Sequence, residues 1–253
     1  MSELSKYFDE YSLNARVKPA LFMVFPAFAS LFILFEPSRT WSGSVVTFLV
    51  AFGVINFAAN QMSAKGNELQ NRLFERWGGA PTTIILRHSD NTIDSVTKWR
   101  YMEQLSLLIS NFKPTTLEYE RDNPGKSDDL YTSASNYLRE HTRDIKKYPL
   151  IFKENIAYGF SRNLRAFKSM GIFIAAFSLL MSSIAIYLDA PDLGAMSLKE
   201  LAQEVPFTHY GLVFIHVLMI WVWLFFVTEE WVKIRAFAYA KRLYAACEKV
   251  SVA

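Results

Sequence analysis

The segment WGGAPTTIILRHSD, Trp77 to Asp90, holds the side chains of this sequence that come closest to a catalytic set. Arg87, His88, Ser89 and Asp90 offer a cation, a base, a nucleophile and a carboxylate next to one another. The members of a hydrolytic triad usually converge from distant positions of a chain, so adjacency alone does not make a triad. We therefore expect Arg87 and His88 to contact an anion. A membrane enzyme that uses His88 and Asp90 is the alternative.

The glycine pair of the same segment does not make a phosphate-binding loop. A Walker loop has the pattern GxxxxGK[ST] between a strand and a helix, because its backbone amides and its lysine converge on phosphates. Gly78 and Gly79 have no Gly-Lys pair after them, and the apolar run follows them instead of preceding them. A glycine pair before Pro81 is typical of the end of a helix. We predict that Thr82 to Leu86 forms a short extended segment.

Basic residues further along the chain could bind an anionic ligand. The sequence predicts a long helix from Asp128 to about Lys147, capped by Ser127. Basic residues at positions i, i+4, i+7 and i+8 would share one face of that helix: Arg139, Arg143, Lys146 and Lys147. Such a face is either solvated and paired locally with Glu140 and Asp144, or a site for a phosphate-rich ligand such as a nucleotide or a single-stranded oligonucleotide.

A second basic group stands just before an apolar run. Arg162, Arg165 and Lys168 precede the run that begins at Met170. A basic side chain close to an anionic leaflet gains about 1 kcal/mol. We expect these residues to contact lipid headgroups.

Four apolar runs must position all of these side chains. Each is close to the length of about 20 residues that a helix needs to cross a bilayer. The runs are Val17 to Phe35, Val45 to Met62, Met170 to Leu188 and Tyr210 to Val227. The sequence thus predicts an all-α integral membrane protein, with four transmembrane helices as two hairpins and a helical cytoplasmic domain inserted between spans 2 and 3.

The predicted domain boundaries follow these runs. Residues 1–62 form an N-terminal interfacial helix and the first transmembrane hairpin. Residues 63–169 form the cytoplasmic helical domain, residues 170–228 the second hairpin, and residues 229–253 a cytoplasmic C-terminal tail.

The distribution of basic residues predicts the orientation in the membrane. Of 27 Lys and Arg residues, 17 lie in residues 63–169, and one lies in each of the connecting loops 36–44 and 189–209. Loops rich in Lys and Arg stay on the cytoplasmic side. We expect a multi-pass protein of the bacterial inner membrane, with both termini and the central domain in the cytoplasm.

Helix signals recur in the central domain. Asp94 is an N-cap for a helix that runs to about Ser110. Its inward residues are expected to be Val96, Trp99, Met102 and either Leu105 or Ser106. Thr115 and Glu118 have capping-box spacing and would start a shorter helix.

Cysteine and histidine usage argues against metal chemistry. The single cysteine, Cys247, excludes a disulfide framework and a Cys-based metal site. The 4 histidines are scattered and have no paired-ligand spacing. We expect no metal, no cofactor and no enzymatic activity.

Polar residues inside the apolar runs suggest a path for ions. Gly53, Asn56 and Asn60 share one face of the second span, and His216 lies within the fourth. Interhelical hydrogen bonding is one explanation, and a pore lining is the other. We predict that Gly53, Asn56 and Asn60 line an ion path at the axis of a homo-oligomer. Glu229 at the end of the fourth span would add a ring of carboxylates that favours cations.

The motifs of the central domain also carry a resemblance. They are WGGAPTT (77–83), LRHSD (86–90), RYMEQL (100–105), YLREHTRD (137–144) and FKENIAYGFSRN (152–163). Together they resemble an uncharacterised group of bacterial four-span inner-membrane proteins. In organisation alone, two hairpins around a cytoplasmic domain, the chain is similar to membrane effectors of anti-phage systems. That second resemblance implies a nucleotide signal that opens a pore, and it assigns no residues.

Two functional hypotheses result. The first is a ligand-gated channel or pore-forming effector whose basic helical domain senses an anionic nucleotide or oligonucleotide. The second is a non-conducting membrane scaffold that recruits a cytoplasmic protein partner.

Overall fold

The structure is a computed structural model that describes residues 9–189, 200 and 205–250. The described residues form helices, turns and loops, and no strand occurs among them. In chain order the helices of four or more residues are α1 Glu10–Leu34, α2 Trp41–Trp77, α3 Pro81–Ile84, α4 Ser95–Leu108, α5 Leu117–Asp122, α6 Pro124–His141, α7 Pro149–Ala166, α8 Lys168–Asp189, α9 Phe207–Phe225 and α10 Glu229–Ala245. Short 3₁₀ turns, Glu36–Arg39 and Ala246–Glu248, accompany them.

The chain divides into two compact units. We call Met1–Asn67 with Phe160–Trp231 the span unit, and Glu68–Gly159 with Val232–Ala253 the insert unit. The span unit contains the 4 helices that are long and apolar enough to cross a membrane, α1, the apolar part of α2, α8 and α9. This agrees with the predicted all-α class and the four apolar runs.

Helices α1, α8 and α9 pack on one another in the span unit. Helices α8 and α9 pack closely at Gly171 of α8, where an added Cβ would overlap the indole ring of Trp223 on α9. Helix α2 joins this core through Ala58, Ala59 and Met62. Small residues at these crossings let the helix backbones approach closely, which is how helices associate where burial from water gives no driving force.

A buried histidine links three of these helices. His216 of α9 is fully buried, with Nε2 3.1 Å from Ser30 Oγ and 3.3 Å from the carbonyl oxygen of Pro26, both on α1. Because a carbonyl only accepts, Nε2 carries the ring hydrogen. The other nitrogen, Nδ1, lies 3.4 Å from Ser182 Oγ on α8. These contacts favour interhelical hydrogen bonding as the role of His216.

The insert unit has its own hydrophobic core. Tyr101, Met102 and Leu105 of α4 meet Tyr131 and Leu138 of α6 there. The chain after Trp231 contributes to the same core, a packing that the sequence did not predict. Its buried side chains are Ala240, Leu243, Tyr244, Ala246, Cys247 and Val250.

Helix α4 begins as predicted, but its inward face was partly wrong. Asp94 Oδ1 accepts a hydrogen bond from the Thr97 amide, so the predicted N-cap is confirmed. Met102 and Leu105 are buried as expected, whereas Val96 and Trp99 are 74% and 52% exposed. The helix carries apolar residues on two faces, and the core takes the face that also contains Tyr101 and Leu108.

Three other boundaries differ from the prediction. Thr116, rather than Thr115, caps α5, because its side chain accepts from the Tyr119 amide. Helix α6 begins at Pro124 and not at Asp128, and Asn123 rather than Ser127 is at the N-cap position. Proline suits the first position because the amide hydrogen that it lacks would be unpaired there in any case. Instead of an extended segment, Thr82 and Thr83 form part of the short helix α3.

Candidate functional site

Arg87 holds two parts of the insert unit together. Its Nε and Nη2 donate to the two carboxylate oxygens of Asp128 at 2.8 and 2.6 Å, and Nη2 also donates to the carbonyl of Gly78 at 2.7 Å. Gly78 and Gly79 have φ values of 80° and 145°, which favour glycine and let the chain turn after α2. The bidentate pair with Asp128 raises the pKa of Arg87 above its ordinary value.

His88 takes part in a buried hydrogen-bond network around Glu120. Its backbone amide donates to both carboxylate oxygens of Glu120 at 3.0 Å, and its Nε2 donates to the carbonyl of Thr115 at 2.8 Å. Tyr131 donates its hydroxyl hydrogen to Glu120 at 2.7 Å and accepts from the Thr115 hydroxyl at 2.6 Å. Burial, with Glu120 beside it, raises the pKa of the Tyr131 phenol.

Asp90, the last polar residue of the segment, is fixed by hydrogen bonds, one of which comes from a buried lysine. Asp90 accepts from the amide and the hydroxyl of Thr92 at 2.9 and 3.0 Å. Lys98 is only 5% exposed, and its Nζ donates to the carbonyls of Arg87 and Asp90. Burial lowers the pKa of this ammonium group. The segment Arg87 to Asp90 is therefore a hydrogen-bonded loop, and none of these contacts forms a serine, histidine and carboxylate relay.

A cavity of about 690 Å³ borders this loop. Its walls carry the charged residues Arg87, Arg121, Glu118, Glu120 and Asp128. Carboxylates outnumber guanidinium groups, and Arg87 is bonded to one of them. The charge balance does not favour an anion at this place.

The predicted basic helix face does not exist as such. Helix α6 ends at His141, and Arg143, Lys146 and Lys147 follow it in a turn. The turn forms because the Asp144 carboxylate accepts from the amides of Lys146 and Lys147 at 2.9 and 3.3 Å, a local bond that competes with the helix. The binding role of these residues stays a prediction.

The two arginines of that predicted face have partners in the insert unit. Arg139 donates to Asn136 and to the hydroxyl of Thr82, each at 3.1 Å. Arg143 pairs with Glu140 at 2.6 Å, where both side chains are largely exposed. An exposed pair of this kind contributes little to stability and leaves the guanidinium accessible.

The basic residues expected at lipid headgroups also make contacts within the span unit. Arg162 is buried and donates to Asn163 Oδ1, while Asn163 Nδ2 donates to the carbonyl of Ala15 at 2.6 Å. Arg165 pairs with Glu229 at 3.0 Å. Lys168 Nζ donates to the carbonyls of Leu224 and Val227, at the end of α9. The span unit thus uses these side chains to connect its own helices.

The residues predicted to line a pore lie on an unpacked face of α2. Asn56 Nδ2 bonds only to the carbonyl of Phe52 in its own helix, and Asn60 is exposed without a hydrogen bond to another described residue. An added Cβ on Gly53 would meet nothing within 4 Å. The predicted carboxylate, Glu229, is partly buried against Arg165.

Among the described residues, no group of three or more His, Cys, Asp or Glu side chains could hold a metal ion.

The polar residues that organise the insert unit, Lys98 and Glu120, were missed from the sequence. Their partners are 11 and 32 positions away, and no local pattern marks such pairs.

Comparison with known proteins gives no match. No protein-family profile fits the chain, and neither a curated protein nor a solved structure is significantly similar to it.

Proposed function

We propose that this protein is a homo-oligomeric membrane channel, gated by an anionic ligand that binds its insert unit. The carrying observation is the exposed face of α2. On it lie Ser42, Val46, Leu49, Gly53, Asn56 and Asn60, at alternating spacings of four and three residues. This period of about 3.5 residues is that of a helix seam which packs against copies of itself.

The opposite face of α2 supports the same proposal. Ala58, Ala59 and Met62 are buried in the span unit, so the seam points away from the packed side of the helix. An amide in hydrocarbon without a partner is costly. Copies of the chain arranged around an axis would give Asn60 a partner or a column of water, and would do the same for the Oδ1 of Asn56, whose Nδ2 already bonds to Phe52. Phe52 and Phe57 are bulky exposed residues that flank the seam, and Phe48 is exposed on a face further round the helix; all three suit lipid.

The span unit does not identify the ligand. A nucleotide ligand is predicted only from the basic residues of the insert unit. Helix α2 contributes residues to both units, as do α7 and α10. We propose that ligand binding to the insert unit shifts α2 between a closed and an open arrangement of the oligomer. A role in anti-phage defence rests on the architectural resemblance alone.

Bilayer recording with purified protein tests the channel. We expect conductance in the presence of a mononucleotide or a short oligonucleotide. Asn60→Leu should abolish it, and Asn60→Asp should raise cation selectivity. Phe48→Leu, on the face assigned to lipid, is the matched control and should conduct normally. Absence of conductance with every nucleotide, or normal conductance of Asn60→Leu, would contradict the proposal.

The predicted anion contacts have their own test. Arg139→Glu combined with Arg143→Glu should abolish the response to ligand if these residues bind it. An unchanged response would place the site elsewhere in the insert unit.

A non-conducting scaffold is the second candidate, and one observation favours it. Val96, Trp99 and Leu107 are exposed on one face of α4 and form a mainly apolar stripe, which the exposed Glu103 interrupts between the last two. An exposed stripe of this kind is typical of a protein interaction surface. This candidate expects a stable complex in pull-downs that Trp99→Asp disrupts and that Asn60→Leu leaves intact.

A further inference from the structure

The insert unit contains a second open cavity, formed by α4, α7 and α10. Its volume is about 420 Å³, within the range of small-molecule sites. The polar and charged lining residues are Thr92, Asp94, Tyr101, Glu154, Lys241 and Arg242. None of them belongs to the predicted anion site.

The basic side of this cavity is free to bind. Lys241 and Arg242 are neighbours on α10, both are exposed, and neither makes an ion pair or a side-chain hydrogen bond within the described chain. The cavity also borders the N-terminus of α4, where the positive end of the helix dipole lies. Asp94 already uses its carboxylate as the cap of that helix, since it accepts from the Thr97 amide.

On the acidic side of the cavity, one carboxylate oxygen has no hydrogen-bond donor. Glu154 lines it from α7, and the buried oxygen Oε2 of this carboxylate has no hydrogen-bond partner. A buried acceptor without a partner is destabilising, and native proteins rarely keep one without a reason. Glu154 is itself partly exposed, and its terminal torsion has a broad minimum, so a partial rotation of the carboxylate turns Oε2 toward the cavity. A donor group of a bound molecule would therefore reach it.

We propose that this cavity binds a guanine nucleotide, with its phosphate on Lys241 and Arg242 and its base on Glu154. A carboxylate accepts two parallel N–H groups, and among the common bases guanine offers two adjacent donors, the ring N1–H and the 2-amino group. Base edges are read in this way when a nucleotide lies in a pocket. The inference rests on the proposed function, since it names the ligand that would act on the insert unit.

Isothermal titration of the full chain in detergent tests the assignment without a conductance measurement. The probe is GMP. IMP lacks the 2-amino group, AMP lacks both donors in that arrangement, and guanosine lacks the phosphate. We expect each of the three to bind at least about tenfold more weakly than GMP.

Variants separate the two ends of the site. Glu154→Gln keeps the shape of the side chain and should remove the preference for GMP over IMP, while Lys241→Met with Arg242→Met should remove the preference for GMP over guanosine. The matched controls are Glu68→Gln and Arg72→Met, an exposed ion pair that neither lines the cavity nor belongs to the predicted anion site. They should bind GMP like the wild type.

Three results would overturn the proposal. They are no binding of GMP at millimolar concentration, equal binding of GMP and IMP by the wild type, and wild-type selectivity in Glu154→Gln. The second does not depend on any variant folding correctly. If GMP binds as expected and no nucleotide gives conductance, the channel fails while the nucleotide site stands.

Discussion

Tyr131 is the residue whose hydroxyl completes the buried network of the insert unit. It bonds to Glu120 and Thr115, and all three side chains are buried. Tyr131→Phe removes only the hydroxyl and leaves two polar groups without that partner. We expect the free energy of unfolding of the insert unit to fall by about 1–3 kcal/mol. Hydrogen exchange of the α6 amides measures this.

The control for that measurement is Tyr119→Phe. Tyr119 is exposed, and its hydroxyl makes no hydrogen bond with a described residue. If the α6 amides exchanged no faster in Tyr131→Phe than in Tyr119→Phe, the hydroxyl of Tyr131 would not stabilise the insert unit.

Cys247 gives the insert unit a built-in probe of its own opening. Its thiol is buried, and burial raises its pKa to about 12. The thiolate is the reactive form, so we expect alkylation at pH 8 to be slow in the native protein and fast in denaturant. The Glu118→Cys variant has a second, exposed thiol. In the native protein it should incorporate one label rapidly, at position 118. Two rapid labels in that variant would show that Cys247 is accessible.

The Cys247 thiol also makes the free energy of unfolding weakly dependent on pH. Its pKa in the folded chain lies above that of the unfolded chain, so between the two values the folded state holds more protons. The free energy of unfolding therefore decreases as the pH rises above the ordinary thiol pKa. Cys247→Ala should flatten the alkaline end of the stability profile.

At the level of single residues, the sequence indicated the chemical type of a side chain better than it indicated the hydrogen-bond partner of that side chain. Arg87 and His88 were expected to contact an anionic ligand, which stays a prediction; within the chain they bond to Asp128 and to the carbonyl of Thr115. The sequence could not indicate that Asp128 and Thr115 receive those contacts, because the partners lie 41 and 27 positions away. Tertiary packing decides such pairs, and a single sequence contains no record of it.

At the level of elements, long apolar runs were more predictable than helix ends. The four candidate spans follow from length and hydropathy alone. Helix α6 ends earlier than its pattern indicated, because Asp144 bonds to the backbone after it. On α4, two apolar faces compete, and only the tertiary fold shows that Val96 and Trp99 remain exposed.

Gly171 makes the packing of α8 on α9 testable. A methyl group there would overlap the indole of Trp223, which is rigid and fully buried. We expect Gly171→Ala to reduce the stability of the span unit by about 1–3 kcal/mol, the usual cost of overpacking. Thermal unfolding in detergent measures the loss.

The matched control is Gly211→Ala on α9, where an added Cβ meets nothing within 4 Å. Alanine also favours a helix over glycine, so this variant should unfold at the wild-type temperature or slightly above it. A lower midpoint for both variants would mean that the effect is not specific to the contact with Trp223.

At the level of the whole molecule, the distribution of charge is the sequence feature with the widest consequence. The loop 36–44 contains one basic residue and the central segment 63–169 contains 17. From this difference the positive-inside rule predicts that the two lie on opposite sides of the membrane. Everything proposed for a nucleotide ligand depends on this orientation, because the cavity beside Glu154 must face the compartment that supplies the ligand.

Cysteine labelling in spheroplasts tests that orientation, since the native thiol is buried. Glu36→Cys lies in the first loop, where the Glu36 side chain is 85% exposed, and Glu118→Cys lies on the surface of the insert unit. A membrane-impermeant maleimide should label the cysteine at position 36 in intact spheroplasts, and the one at position 118 only after permeabilisation. Replacing Glu36 keeps the count of basic residues that sets the orientation. Labelling of position 118 in intact spheroplasts would place the insert unit outside, where a cytoplasmic nucleotide could not reach it, and the gating proposal would have to be abandoned.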